Sequence, residues 1–144
     1  DDLAEQVDKS VAAGARALLD QPDLPEKGWW YAPQILEEAP ENAPAAKDEM
    51  FGPVASLWKV TSLTQAIERA NDSPFGLGSS VCTTDKGEME QAIRDLDAGS
   101  TFINSKVASD PRLPFGGVKA SGYGRELSSD GIRAFINRKT VSIA

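Results

Sequence analysis

The sequence predicts an α/β fold with parallel strands. Three observations carry that expectation. Between residues 54 and 104, β-rich runs alternate with amphipathic stretches at a spacing that fits strand, helix, strand, helix, strand. Hydrophobic residues make up 40% of a 144-residue chain, which is enough for one packed core. Charged residues make up 26%, a fraction that argues against wholesale disorder.

The elements are taken in chain order. Leu3, Val7, Val11, Ala15 and Leu18 recur every three to four residues, so residues 1–19 are expected to form an amphipathic helix. Gly14 and Ala15 are small enough for another backbone to approach. Pro22 ends the helix, because proline cannot continue it. Residues 22–50 are rich in Pro, Glu and Ala and are expected to tolerate a cut or insertion best. Within them, Trp29-Trp30-Tyr31-Ala32-Pro33 reads as a short aromatic, strand-like run whose rings anchor a core or an interface. Gln34 to Glu37 reads as a second extended piece, and Pro40 to Asp48 as an exposed acidic loop or a short helix.

Val54 to Val60 is β-rich. Ser62 and Gln65 make a capping box for a helix using Leu63, Ala66, Ile67 and Ala70. Asn71-Asp72-Ser73-Pro74 stops it. Leu77 to Thr83 is a small-residue strand containing Cys82. Thr84 or Asp85 caps a helix using Met89, Ala92, Ile93 and Leu96, with Gly99 as its left-handed stop. Ser100 to Asn104 is a further strand. Residues 105–124 form a long loop containing Gly and Pro. Leu127, Ile132, Phe135 and Ile136 mark a last helix, and Thr140 to Ile143 alternates as an edge strand does.

Charge and composition exclude several functions. The chain has 15 basic and 22 acidic residues, a net charge of −7, so it carries no electrostatic footprint for nucleic acid or anionic lipid. No apolar run approaches the roughly 20 residues of a membrane span. The first residues lack the features of a secretion signal. One cysteine, Cys82, excludes an internal disulfide and suits a reducing compartment, so a cytoplasmic location is expected. There is no histidine, which removes the commonest general base and any His-containing metal site. Neither G-x-G-x-x-G nor G-x-x-x-x-G-K-[ST] occurs. These residues alone read as part of something rather than as a self-sufficient enzyme.

Four segments carry a resemblance. They are Glu49-Met50-Phe51-Gly52-Pro53-Val54, Ala70-Asn71-Asp72-Ser73-Pro74-Phe75-Gly76-Leu77, Phe102-Ile103-Asn104, and the run from Pro114 to Glu126. In this order and spacing they resemble the C-terminal part of an aldehyde dehydrogenase, over essentially the whole chain. Val107-Ala108-Ser109-Asp110-Pro111 is further similar to bacterial succinate-semialdehyde dehydrogenases. In that family the dinucleotide domain, the nucleophilic cysteine and the general-base glutamate lie upstream of the matched region. The chain is therefore expected to be the C-terminal portion of a longer NAD- or NADP-dependent enzyme, inactive in isolation. Residues 1–137 would be part of the catalytic domain and residues 138–144 a C-terminal oligomerisation strand.

The resemblance also implies site residues. The glutamate matching Glu49 accepts hydrogen bonds from the nicotinamide ribose hydroxyls, and the phenylalanine matching Phe51 packs beside that ribose. Read without the resemblance, the segment is a turn punctuated by Gly52-Pro53. The loop matching Val107 to Phe115 lines the aldehyde tunnel, so Val107, Ser109 and Phe115 are the substrate candidates. Ser109 would bond a substrate carboxylate, against the plainer reading of an exposed loop hydroxyl. Arg112 is left out of the site. Cys82 is not the nucleophile and is expected to be a buried small hydrophobe. Gly116, Gly117, Gly122 and Gly124 serve loop conformation rather than a phosphate, with Lys119 and Arg125 bracing the loop. Asn104 ties loop backbone. No residue of the chain is assigned a catalytic or metal-binding role.

The implied reaction oxidises an aldehyde, succinic semialdehyde above others, to the acid. The implied assembly is a homodimer or homotetramer. Two alternatives stand beside it: a non-catalytic α/β interaction domain, and a dehydrogenase for another substrate such as betaine aldehyde or an aliphatic aldehyde.

Overall fold

A computed structural model describes residues 2–144. The chain divides into two compact units, Asp1–Val60 and Thr61–Ala144.

In the first unit, α1 (Asp2–Ala12) turns Val7 and Ser10 inward. It ends at Ala12 rather than at residue 19. Gly14 adopts φ 120°, its N–H donates to the Val11 carbonyl at 3.0 Å, and the Ala15 N–H donates to the Ser10 carbonyl at 2.9 Å. That is a left-handed cap with the paired bonds of a Schellman motif. The apolar spacing misled because Ala15, although buried, lies beyond the end of the helix. The chain continues as β1 (Arg16–Ala17), antiparallel to β2 (Gln34–Glu37), which runs parallel to β3 (Val54–Leu57) after the short α2 (Pro44–Lys47). Arg16 and Glu37 are directly opposed across β1 and β2 and form an ion pair.

Leu36 is fully buried at the centre of a core with Val7, Ala15, Ala39, Ala43 and Ala45. The alanines let backbones come close. Ser10 Oγ accepts the Ala45 N–H at 3.0 Å and donates to the Gln6 carbonyl at 2.7 Å, and Ser56 Oγ donates to the Ala45 carbonyl at 2.9 Å. Within the stretch from Pro40 to Asp48, Pro44–Lys47 is the short helix, docked on the core, and Glu41-Asn42 is an exposed turn. The strand and helix segments 34–39 and 43–47 are accordingly no place for an insertion. Buried Gln34 brackets Leu19 with its amide, donating to the carbonyl at 3.0 Å and accepting the N–H at 3.0 Å, so neither polar end is orphaned. No strand forms at residues 29–33. Trp29 is 99% exposed, Trp30 is exposed, and only Tyr31 packs against this unit's core. Of the core-or-interface expectation, the core part holds for Tyr31 and is corrected for both tryptophans.

In the second unit, α3 (Leu63–Asn71) starts at Ser62, whose Oγ accepts the Gln65 N–H at 3.2 Å. The return bond of the box goes one residue further back, since Gln65 Oε1 accepts the Thr61 N–H at 2.8 Å. Next come β4 (Phe75–Gly76) and β5 (Ser79–Val81). Helix α4 (Lys86–Asp95) is capped by Asp85, whose Oδ1 accepts the Glu88 N–H at 2.9 Å. Strand β6 (Thr101–Ile103) lies parallel to β5, so β5-α4-β6 is a parallel crossover. Strand β7 (Val118–Lys119) pairs antiparallel with β4, and α5 (Ser128–Arg133) comes last. The α/β class with parallel pairs stands. The strands do not form one run, however: β3 pairs with β2 and β5 with β6.

Gly99 is not a left-handed stop. Helix α4 ends at an extended Leu96, and a Cβ on Gly99 would overlap the Gly116 carbonyl oxygen. The last helix is shorter than its apolar pattern. Leu127 stands at its N-cap with φ 61°, and Ile132, Phe135 and Ile136 are exposed. Residues 140–143 form no strand within the chain, and Ile143 is 90% exposed. A strand requires a ladder partner, and no described segment supplies one. Among the described residues, no helix is long and apolar enough to cross a membrane.

Candidate functional site

The sequence-predicted residues fall in the two units: Glu49 and Phe51 in the first, Val107, Ser109 and Phe115 in the second.

Glu49 and Phe51 are held by α1. Gln6 Nε2 donates to the Glu49 carbonyl at 3.2 Å. The Leu3 side chain occupies the space that a Cβ on Gly52 would need. Met50 packs against the core between them. Two tight backbone bonds come next along the chain, Gly52 N–H to the Met50 carbonyl and Val54 N–H to the Gly52 carbonyl, both 2.8 Å. With its main chain fixed and Met50 turned in, the segment presents its other two side chains outward. The Glu49 carboxylate is exposed and has no partner among the described residues, and Phe51 is 87% exposed. A carboxylate of this kind accepts from two adjacent hydroxyl donors, and the neighbouring ring offers an apolar wall. The local turn expected from Gly52-Pro53 is present as well; it is what orients the two side chains.

The 107–115 loop leaves the end of β6. Asn104, at φ 54°, clasps Thr83 with both ends of its amide. Oδ1 accepts the Thr83 N–H at 2.9 Å, and Nδ2 donates to the Thr83 carbonyl at 2.8 Å. Its expected support role is therefore seen in the bonds. Val107 lies over Gly78, where a Cβ would come within 2.7 Å of its Cγ1. Ser109 is exposed, and Phe115 is half-buried. Phe115 and Glu126 exchange backbone hydrogen bonds of 2.9 and 2.8 Å. Phe115, Tyr123, Glu126 and Phe135 line an open cleft of about 560 Å³.

Lys119 and Arg125 do brace the glycine loop. Lys119 Nζ donates to the Asn71 carbonyl at 2.8 Å and pairs with Asp97 at 3.0 Å. Arg125 Nη1 donates to the carbonyls of Gly117 at 2.9 Å and Gly124 at 2.6 Å. The glycines divide by role. Gly122 and Gly124 take positive φ, whereas Gly116 and Gly117 are needed because a Cβ would press on Gly124 and Ser121. Cys82 lies just past β5 and is exposed, so the expectation of a buried thiol is corrected.

Two features were missed. Asn71 links the ends of α3 and α4, donating to the Asp95 carbonyl at 2.8 Å and accepting the Asp97 N–H at 2.9 Å. Asp110 binds Arg112 through both carboxylate oxygens, at 2.9 and 2.6 Å. That hydrogen-bonded guanidinium holds the Asp110 carboxyl below the usual carboxylate range. The signal for the second was in the sequence: Asp before Pro is a turn initiator.

Comparison with known proteins places this geometry in context. The family model described as aldehyde dehydrogenase family matches residues 1–141. The chain is 48% identical over 143 residues to a probable succinate-semialdehyde dehydrogenase [NADP(+)] of Synechocystis, covering 99% of this chain and 32% of that protein. It is 49% identical to the succinate-semialdehyde dehydrogenase [NADP(+)] of Mycobacterium leprae, covering 99% of this chain and 31% of that protein. Its fold matches the crystal structure of succinic semialdehyde dehydrogenase from Streptococcus pyogenes in complex with NADP+. The TM-score is 0.91 at 36% identity, over 99% of this chain and 31% of that one. The chain thus spans about a third of the length of these relatives.

Proposed function

The chain belongs to the aldehyde dehydrogenase family, and from that premise we propose that it forms part of an NADP-dependent enzyme that oxidises succinic semialdehyde to succinate. The observation that carries the reading is the outward presentation of Glu49 and Phe51 on a segment fixed by α1. An unpartnered carboxylate beside an exposed ring fits the two vicinal hydroxyls and the flat face of a ribose. When bound, the nicotinamide supplies the hydride acceptor. Glu49 holds the ribose hydroxyls and so aims the ring, while Phe51 limits how far the sugar rolls. The relatives named for NADP(+) support that cofactor over NAD.

On the substrate side, Val107 and Phe115 wall the approach of the aldehyde, and the Ser109 hydroxyl donates to the carboxylate end. The test is Ser109→Ala in the enzyme that contains this chain. It is expected to raise KM for succinic semialdehyde about fivefold, the equivalent of about 1 kcal/mol for one hydrogen bond. An uncharged aldehyde of equal length offers no carboxylate and should lose little. Equal losses on both substrates, by steady-state kinetics, would reduce Ser109 to a loop residue.

The tail enters the same proposal. Residues 138–144 present Val141 and Ile143 outward with no ladder partner among the described residues. We assign them to a contact between copies of the enzyme, a homodimer or homotetramer, where an edge strand finds its partner. Truncation after Asn137 is expected to shift the enzyme toward monomer and lower its melting temperature. Size-exclusion chromatography with light scattering checks this; an unchanged oligomer with unchanged melting would refute it.

A further inference from the structure

The loop that carries Ser109 is fastened at the very next residue. Asp110 Oδ1 accepts the Arg112 backbone N–H at 2.9 Å and the Arg112 Nε–H at 2.9 Å, while Oδ2 accepts from Nη2 at 2.6 Å. The Asp110 carbonyl accepts the Leu113 N–H at 2.9 Å. One carboxylate therefore closes the backbone turn and grips the guanidinium in the two-pronged geometry that fixes direction as well as distance. Pro111 restricts Asp110 further, since the residue before proline is pushed out of the helical region. Downstream, the Pro111 carbonyl accepts the Ser128 N–H at 3.0 Å. The turn after Ser109 is thus tied within itself and to the start of α5.

The Arg112 side chain is 85% exposed. An ion pair so open to water adds little to stability, and the guanidinium covers no core. What the clasp does set is the path of residues 110–113, which follow Ser109 directly. The guanidinium also holds the Asp110 carboxyl below the usual carboxylate range.

We propose that Asp110, clasped by Arg112, is a positioning residue that aims the Ser109 hydroxyl at the carboxylate end of the substrate. The inference rests on the reading of Ser109 given under Proposed function. It assigns specificity to a pair of charges that do not themselves touch the substrate.

The test is a double-mutant cycle in the enzyme that contains this chain, read with succinic semialdehyde and with a neutral aldehyde of the same length. Asp110→Ala is expected to raise KM for the semialdehyde about fivefold, the loss of one well-aimed hydrogen bond, with kcat falling less than KM rises. Asp110→Asn keeps an acceptor for the Arg112 N–H and should restore part of that loss. In a Ser109→Ala background, Asp110→Ala should add almost nothing, because nothing is left to aim. Multiplying effects of the two substitutions would overturn the proposal and leave the role of Ser109 standing. So would a KM that falls in Asp110→Ala, the mark of a freed Arg112 binding the carboxylate directly. Equal losses on both aldehydes from Ser109→Ala alone would overturn the reading of the loop, and the proposal with it.

Discussion

Glu49→Gln, introduced into the enzyme that contains this chain, is expected to slow hydride transfer roughly 10- to 150-fold without unfolding the protein. The amide keeps one acceptor but loses the charge and half of the paired geometry offered to two adjacent hydroxyls. A hydrogen bond to a charged group contributes about 1.5–3 kcal/mol, and each 1.36 kcal/mol on the barrier is about tenfold in rate. The structure explains why folding should not change. The Glu49 carboxylate has no partner among the described residues, and the segment is anchored by its carbonyl, held by Gln6, together with Met50 in the core. Single-turnover hydride transfer and thermal melting, measured on the same preparation, separate the two effects. Unchanged single-turnover rates would remove Glu49 from the site; a large drop in melting temperature would give it a structural role instead.

The second large effect falls on stability. Gly99→Ala is expected to cost about 3 kcal/mol, the upper end of what an overpacked site gives. The added methyl would overlap the carbonyl oxygen of Gly116. Backbone cannot rotate away as a side-chain end can. The Gly116 carbonyl is also locked from both sides, because Phe115 is paired with Glu126 and Arg125 Nη1 grips the Gly117 carbonyl at 2.9 Å. Gly99→Asn discriminates the reasons. At a left-handed helix stop, asparagine is tolerated and would be milder than alanine. At a site of close backbone approach, asparagine is at least as harmful. Denaturant unfolding of both variants decides, and a milder Gly99→Asn would return Gly99 to the role its position in the sequence suggests.

Gly99 and Gly14 show what a sequence conveys about glycine. Each comes after an apolar helical pattern. Gly14 takes φ 120° and ends α1, while Gly99 does not take a positive φ and ends nothing. The pattern around each is the same. The difference lies in residue 116, which is far away in sequence. The residues 1–19 pattern failed for a related reason: Ala15 and Leu18 keep helical spacing by coincidence, and the strand pairing of Arg16–Ala17 with Leu36–Glu37 overrides it. Of the aromatic run at residues 29–31 only Tyr31 reaches this chain's core, because hydrophobicity says that a ring gains from burial, not that this chain supplies the burying surface.

Local rules succeeded where the physics is local. The caps at Ser62 and Asp85 need only the next three residues, and both formed. The parallel crossover of β5, α4 and β6 comes from the order of short strands around one helix. The family was legible because its motifs are contiguous runs in a set order, three of the four carrying glycine and each carrying a polar residue. From the sequence came the α/β class and the lack of histidine, which leaves this chain without the commonest general base, while the family resemblance implied the candidate residues Glu49, Phe51, Val107, Ser109 and Phe115. Only the folded chain decided that Glu49 and Phe51 face outward while Met50 turns in, that Asp110 spends its charge on Arg112, and that Cys82 is exposed. Those outcomes depend on which distant backbone arrives beside each residue. Composition and spacing fix a residue's chemistry and its local turn, whereas the neighbour that completes the contact is set by the path of the whole chain.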